Sequence, residues 1–397
     1  MQQHLQSAVP GPVFADLLDK VHAIGREFIA PNADAVDRDA RFPTEAFAAL
    51  KSAFLLSSYV PAEFGGLGLS LLELARLCEV LAHYCGSTAM IFAMHQIQVA
   101  CIVHHAVGSG YFRAYLRELV ERQYLLASAT TELGIGGDVR SSLCAVSVEN
   151  DRFTLDKQAP VISYGAHADA ILVTCRKSAE AGRSDQAHVL VRKQDCTLEP
   201  LSDWDTLGFR GTCSRGFALK SSGAVEQILP VPYADIHTVT MHPFSHSVWA
   251  SLWLGIASSA VNRARSFVRA EARKTPGTPP PSALRLAEVD TVLFSMRGGV
   301  QQTIAEYQHL LDAGDPGAFS ANYGFGIRIN NLKLTSSQLI VDIVGRAMVI
   351  CGIAGYRNDS KFTLCRHLRD AYGAALMVNN DRILGQSSAM QIMQRGD

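Results

Sequence analysis

Two stretches of this 397-residue chain hold the residue types best suited to chemistry on a bound ligand. The first is Ser128-Ala-Thr-Thr-Glu-Leu-Gly-Ile-Gly-Gly-Asp138, and the second is Ala159-Pro-Val-Ile-Ser-Tyr-Gly-Ala-His-Ala-Asp169. Small residues and bare amides in the first let a planar ring and its phosphates come close. In the second, the hydroxyl of Ser163 is able to donate or accept at a ring nitrogen. Arg269 and Arg273 stand one helical turn apart, where like charges repel unless an anion offsets them. Three residues are candidates for moving a proton: His246 in Pro243-Phe-Ser-His-Ser-Val-Trp249, His95 in Ala93-Met-His-Gln96, and Asp381. An imidazole titrates near neutrality. The plainer roles are a packing histidine, a helix-face histidine and a helix-capping aspartate.

The elements that must position these residues change character twice along the chain. Val13 to Ile29 has apolar residues at helical spacing, with Pro31 expected to stop it, and Pro43 to Leu55 resumes the pattern. Leu71 to His83 and Ala89 to Ala106 read as further helices. Cys144 to Val148, Ala170 to Thr174 and Ala187 to Val191 are short β-branched runs between turn residues, so they read as strands, with Ala179 to Asp185 a polar hairpin loop. After about Ile236 the helical period returns to the end, broken at Pro276 to Pro281 and Asp312 to Pro316.

Composition narrows the function classes. A net charge of −1 and a pI near 6.9 leave no electrostatic footprint for nucleic acid or an acidic membrane. Nine cysteines without Cys-x-x-Cys spacing fit buried thiols in a reducing compartment, with no metal site expected. Met1-Gln-Gln-His lacks the basic and apolar parts of a secretory signal, and no unbroken apolar run is long enough to span a bilayer. The expectation is a soluble cytoplasmic protein.

Further motifs accompany the first two in a fixed order. They are Pro61-Ala-Glu-Phe-Gly-Gly-Leu-Gly-Leu-Ser70, Trp204-Asp-Thr-Leu-Gly-Phe-Arg-Gly-Thr212, Arg273-Lys-Thr-Pro-Gly277, and Cys351-Gly-Ile-Ala-Gly-Tyr356 followed by Arg369-Asp-Ala371. Together they resemble the acyl-CoA dehydrogenase family across nearly the whole chain. The resemblance implies an α+β fold with an N-terminal helical domain (1–125), a central β-barrel-like domain (126–236) and a C-terminal four-helix bundle (237–397). It also implies FAD, contacted by Thr130, Thr131, Gly136, Gly137, Ile162, Ser163, Arg273 and Gly352. In the family that arginine reaches the pyrophosphate of a neighbouring subunit, so a homodimer or homotetramer is expected. Several positions depart from the pattern. Leu133 replaces a proline, Gly137 a serine, Val161 a tryptophan that covers the ring, and Ser163 the threonine at the flavin N5; proline stands for phenylalanine in the Arg273 motif.

The main departure concerns the base. Oxidising a thioester to its α,β-enoyl form removes an α-proton while a hydride leaves the β-carbon, and a carboxylate normally takes the proton. By resemblance it would fall at Val378 or, in a subset of the family, at Ser245, and neither is acidic. His246 and Asp381 are then the candidate bases, and His95, Ser245 and Val378 the candidate substrate contacts. Three functions fit: an acyl-thioester dehydrogenase on CoA or a carrier protein with a relocated base, a flavin monooxygenase on the same fold, or a catalytically silent flavin- or thioester-binding subunit. An electron-transfer flavoprotein or a flavin reductase would be the redox partner.

Overall fold

The computed structural model describes residues 12–315, 317–320 and 322–394, which run helical, then β, then helical. Helix α1 (Pro12–Ile24) continues through a π-helical turn at Gly25–Ile29 and a 3-10 turn at Ala30–Asn32 into α2 (Ala33–Arg38). Pro31 therefore does not stop the helix. It sits at the start of the 3-10 turn, where a missing N–H is tolerated. Next come α3 (Thr44–Ser52) and α4 (Leu71–Tyr84), the latter opened by a capping box between Ser70 and Glu73. Then follow α5 (Gly86–His105), apolar all round, and α6 (Gly110–Arg122). By length and composition α5 would cross a membrane, but 89% of its apolar window lies inside the fold.

Two sheets follow. Strands β1 (Leu126–Ala129), β4 (Ala170–Arg176) and β5 (Gln186–Arg192) form one in the order β1-β4-β5, with β1 parallel to β4. The other is antiparallel, in the order β2 (Ser147–Glu149), β3 (Arg152–Ala159), β7 (Gly216–Ala224), β6 (Cys196–Ser202). Strands β4 and β5 are buried along almost their whole length, which is why they read as unbroken apolar runs. The strand expected from Cys144 begins only at Ser147, because the Cys144 amide is taken by the Glu132 carboxylate at 2.6 Å.

The last segment holds α7 (Tyr233–Ile236), α8 (His242–Ala272), α9 (Ser282–Ala313), α10 (Gly317–Ser320), α11 (Tyr323–Cys351), α12 (Ile353–Tyr356), α13 (Cys365–Gly373) and α14 (Asn380–Met393). Helix α8 is its axis, packed by α4, α9 and α11, with α14 on the outer side of α11. Gly255 permits the α4 approach: a Cβ there would lie 2.2 Å from the Glu79 carbonyl oxygen. The other apolar helix long enough for a bilayer, α11, is half-buried in this packing.

The turn motifs prove to be clamps between segments. Asp370 on α13 accepts the Phe209 amide at 2.7 Å, Arg369 pairs with Asp37 on α2, and Arg210 Nε donates to the Asp37 carbonyl at 2.8 Å. Gly208 is required by contact, since a Cβ would lie 2.2 Å from the Arg369 carbonyl oxygen. These bonds fix the β-segment against both helical segments and so set the two walls of the site.

Candidate active site

The two stretches singled out in the sequence are joined side by side. Thr131 Oγ1 donates to the Val161 carbonyl at 3.0 Å, and the Leu133 amide donates to Gln158 O at 2.9 Å. The Thr131 hydroxyl proton is thus spent inside the chain, while its amide has no acceptor among the described residues and is left for a ligand. Thr130 is half-buried, and its carbonyl lies 3.4 Å from Thr174 Oγ1. Glu132 turns into the protein, accepting the Leu143 and Cys144 amides and standing 3.6 Å from the fully buried Lys157 ammonium. Lys157 also donates to Thr174 O at 2.6 Å. That buried pair holds the strand end that presents Thr131. Ile162 is buried with its amide given to Arg215 O and its carbonyl taken by Gly165 N, so it serves by packing.

Ser163, 8% exposed, accepts a 2.8 Å hydrogen bond from Ser214 Oγ, which lies 2.7 Å from Thr212 Oγ1. With Ser214 as the donor in that bond, the Ser163 proton is free to point into the site. Thr212 closes a motif quoted from the sequence, but Ser214 did not stand out, because its contact with Ser163 crosses about fifty residues and is made only when β3 pairs with β7.

The glycine turn has φ of +89°, +60° and +78° at Gly134, Gly136 and Gly137, conformations that favour glycine. The Gly136 and Gly137 amides are exposed and donate to nothing among the described residues, which makes them ready anion donors. Arg382, at the start of α14, donates to the Gly136 carbonyl and places a cation beside the turn. These groups fit a flavin: a free amide and a free hydroxyl proton for ring heteroatoms, and free amides next to an arginine for phosphate.

The opposing helical wall carries nitrogen bases. On α8, His242 and His246 are in edge contact at 4.4 Å, and His237 stacks on His242 at 5.5 Å. His242 Nε2 meets Asn330 Oδ1 at 2.9 Å, and His246 Nδ1 faces Ile329 O at 3.4 Å, both on α11. One turn along α11 the buried Lys333 donates to Val378 O at 3.0 Å and to Asn380 Oδ1 at 2.6 Å. Burial holds the His246 imidazole well below its usual range, and His242 and Lys333 push the same way. Burial takes His242 to about 4 and the Lys333 ammonium down to about 8. Helix α14 links this wall to the glycine turn, since its Asn380 holds Lys333 and its Arg382 bonds the Gly136 carbonyl. Lys333 could not be singled out by spacing; its neighbours in the sequence read as an ordinary helix face.

The remaining candidates are placed plainly. His95 is fully buried, its Nε2 at 2.7 Å from Leu56 O and its Nδ1 accepting the Leu126 amide at 3.0 Å. With both nitrogens committed to backbone it has nothing left for a substrate. Ser245 gives its proton to His242 O at 2.9 Å on its own helix. Asp381 is exposed in the first turn of α14, where Asn379 caps its amide at 2.8 Å, and so behaves as a helix-end carboxylate. Val378 has φ +45°, a strained value for a β-branched residue, and is pinned by Lys333. His246 belongs to the helical wall, but its titration lies far from neutrality.

Arg273 and Gly352 lie elsewhere. Arg273 ends α8, whose 31 residues put it about 45 Å from His242. Gly352 ends α11, beside the same end of the bundle. Arg273 lines a cleft of about 540 Å³ with Arg263, Lys361 and Arg366, far from its own chain's glycine turn.

Comparison with known proteins agrees with this geometry. The sequence profile for the acyl-CoA dehydrogenase N-terminal domain matches residues 15–134, and that for the C-terminal domain matches residues 238–384. Cyclohex-1-ene-1-carbonyl-CoA dehydrogenase of Geobacter metallireducens is 26% identical over 361 residues, covering 89% of this chain and 91% of the relative. Butyryl-CoA dehydrogenase from Megasphaera elsdenii superposes with a TM-score of 0.82 at 20% identity, over 96% of this chain and 99% of its own. Dibenzothiophene monooxygenase from Paenibacillus sp. A11-2 superposes with a TM-score of 0.81 at 18% identity, over 96% and 98%. With both profiles matched in order around a wall that fits a flavin, the chain belongs to the acyl-CoA dehydrogenase family of flavoprotein oxidoreductases acting on CH–CH bonds.

Proposed function

We propose that this protein holds FAD and oxidises an acyl thioester, on coenzyme A or a carrier protein, at its α and β carbons, with a nitrogen base in place of a carboxylate. One observation carries this reading. The two positions where the family places its base converge on one cluster, because Lys333 bonds the backbone of Val378 and stands one turn along α11 from Ile329, whose carbonyl faces His246, next to Ser245. With Nδ1 directed at Ile329 O, His246 Nε2 keeps its lone pair for the α-proton. The flavin, when bound, supplies the hydride acceptor. On the other wall the Thr131 amide and the Ser163 hydroxyl face the charge that develops on the ring.

An imidazole so far below its usual range is always neutral at working pH, and it is a weak base. The site therefore suits an α-hydrogen acidified by a neighbouring unsaturation or carbonyl more than that of a plain straight-chain acyl group. The distance from Arg273 and Gly352 to their own glycine turn supports a homo-oligomer in which each FAD is completed by a second subunit. Anaerobic bleaching of the flavin by a panel of thioesters tests the reading; an absence of bleaching by every thioester counts against it.

A second reading, a flavin monooxygenase, is favoured by the absence of a carboxylate at Val378 and Ser245 and by the free proton of Ser163. Its test is chemical reduction of the flavin followed by oxygen and a candidate aromatic acceptor, with an oxygenated product as the positive result.

A further inference from the structure

Three hydroxyls run in line from the Gly208-Phe-Arg-Gly211 turn to the flavin wall. Ser163, Ser214 and Thr212 are 8%, 4% and 3% exposed, so all three are buried. Ser214 Oγ donates to Ser163 Oγ at 2.8 Å, Thr212 Oγ1 and Ser214 Oγ are 2.7 Å apart, and Thr212 Oγ1 lies 2.8 Å from the Phe209 carbonyl. Each hydroxyl has one proton, so only two arrangements keep the row bonded without stranding the Ser214 proton. In the first, Thr212 gives to Ser214, Ser214 gives to Ser163, and the Ser163 proton points outward. In the second, Ser163 gives to Ser214, Ser214 to Thr212 and Thr212 to Phe209 O, and the Ser163 oxygen is left to accept.

The carbonyl at the far end makes the exchange cheap. Trp204 Nε1 also donates to Phe209 O, at 3.2 Å, so this carbonyl stays satisfied in both arrangements. The backbone around the row is held in unusual conformations. Tyr164, Phe209 and Cys213 all have positive φ (44°, 50° and 47°) without being glycine, and such residues gather where a structure over-determines a functional position. The Tyr164 amide donates to Thr212 O at 2.7 Å and its hydroxyl to Leu126 O at 2.8 Å, locking the Ser163 strand end to the turn.

We propose that Thr212, Ser214 and Ser163 form a hydroxyl relay that reverses its hydrogen-bonding sense with the redox state of the flavin. It rests on the reading that Ser163 faces the ring nitrogen that takes up the hydride. An unreduced ring nitrogen is an acceptor and needs the Ser163 proton; the same nitrogen bearing hydrogen is a donor and needs the Ser163 oxygen. Ser214 and Thr212 are positioning residues: no proton leaves the protein, and none is consumed.

Cutting the relay strands the Ser163 proton in the reduced state, because among the described residues Ser214 is its one inward partner. Ser214→Ala in the FAD-loaded protein should lower the preference for reduced over oxidised flavin by about tenfold, a fall of about 30 mV in the two-electron midpoint potential. Ser214→Thr, which keeps a hydroxyl, should restore it. Thr212→Val should give a smaller shift of the same sign and serves where Ser214→Ala does not retain flavin. Ser163→Ala should move both the potential and the visible flavin spectrum. If it moves both while Ser214→Ala and Thr212→Val leave the potential at the wild-type value, the relay is overturned. If Ser163→Ala moves neither, Ser163 does not face the ring, and the placement beneath the proposal fails with it.

Discussion

The two walls of the site are built differently. On the β-side the polar side chains are assigned and backbone amides are left free: Glu132 and Lys157 clamp the strand, Thr131 ties the two stretches together, and Ser163 is fed by Ser214. On the helical side, His237, His242, His246 and Lys333 cluster with no carboxylate paired to them among the described residues. The β-wall thus suits a flavin, while the proposed function places its base among the nitrogen groups of the helical wall. Cofactor binding and substrate chemistry are separable here, and the variants below should divide along that line.

The largest effect is expected on the helical wall. His246→Gln should slow flavin reduction by the natural thioester by about 10²–10⁴, the usual value of a positioned base, with FAD content and melting temperature nearly unchanged. Rapid-reaction absorbance gives the rate. A drop in stability with a normal rate would make His246 a packing residue.

On the β-wall the expected loss is structural. Lys157→Met leaves the Glu132 carboxylate buried without its cation, which costs about 3 kcal/mol even with two amides still bonded to it. Denaturant melting measures it, and flavin should be lost in parallel. An unchanged midpoint would mean the two amides alone satisfy Glu132. Arg273→Ala should weaken FAD retention by about tenfold to a hundredfold without altering the bleaching chemistry of the protein that stays loaded. Equal retention by dilution and filtration would leave Arg273 a surface charge.

The smallest effect sharpens the comparison by pH. Lys333, pushed down to about 8 by burial, is charged below that pH and neutral above it. Its charge opposes the positive charge that His246 gains with the substrate proton, so the reduction rate should rise as pH passes upward through about 8. The rise should be roughly tenfold or less for charges on the order of 10 Å apart. Lys333→Met should flatten that limb. A limb near pH 6.5 instead would mean that His246 is far less buried than in this structure.

Much of this was legible in the sequence. The change from helical period to short β-branched runs and back followed the fold, and the glycine turn and the Ser163 stretch were found because the pair, in that order and spacing, resembles the family's two flavin-contacting stretches. What escaped depended on packing between distant segments. Lys333 is meaningful only because α11 carries it to the Val378 backbone, and Ser214 only because β7 lies beside β3. His95 misled for the opposite reason: a histidine on an apolar helix has the same signature whether it faces a cavity or, as here, two backbone partners. Pro31 failed as a stop because a π-helical turn and a 3-10 turn carry the helix past it.

Anaerobic titration of the FAD-loaded protein with acyl thioesters bears most directly on whether a nitrogen-based wall still performs a dehydrogenase reaction. The expected result is loss of the oxidised flavin absorbance with at least one thioester bearing an activated α-hydrogen, without any added reductase, and formation of the enoyl product. If no thioester bleaches the flavin, while the chemically reduced protein transfers oxygen to an acceptor, the dehydrogenase reading is wrong and the monooxygenase reading takes its place.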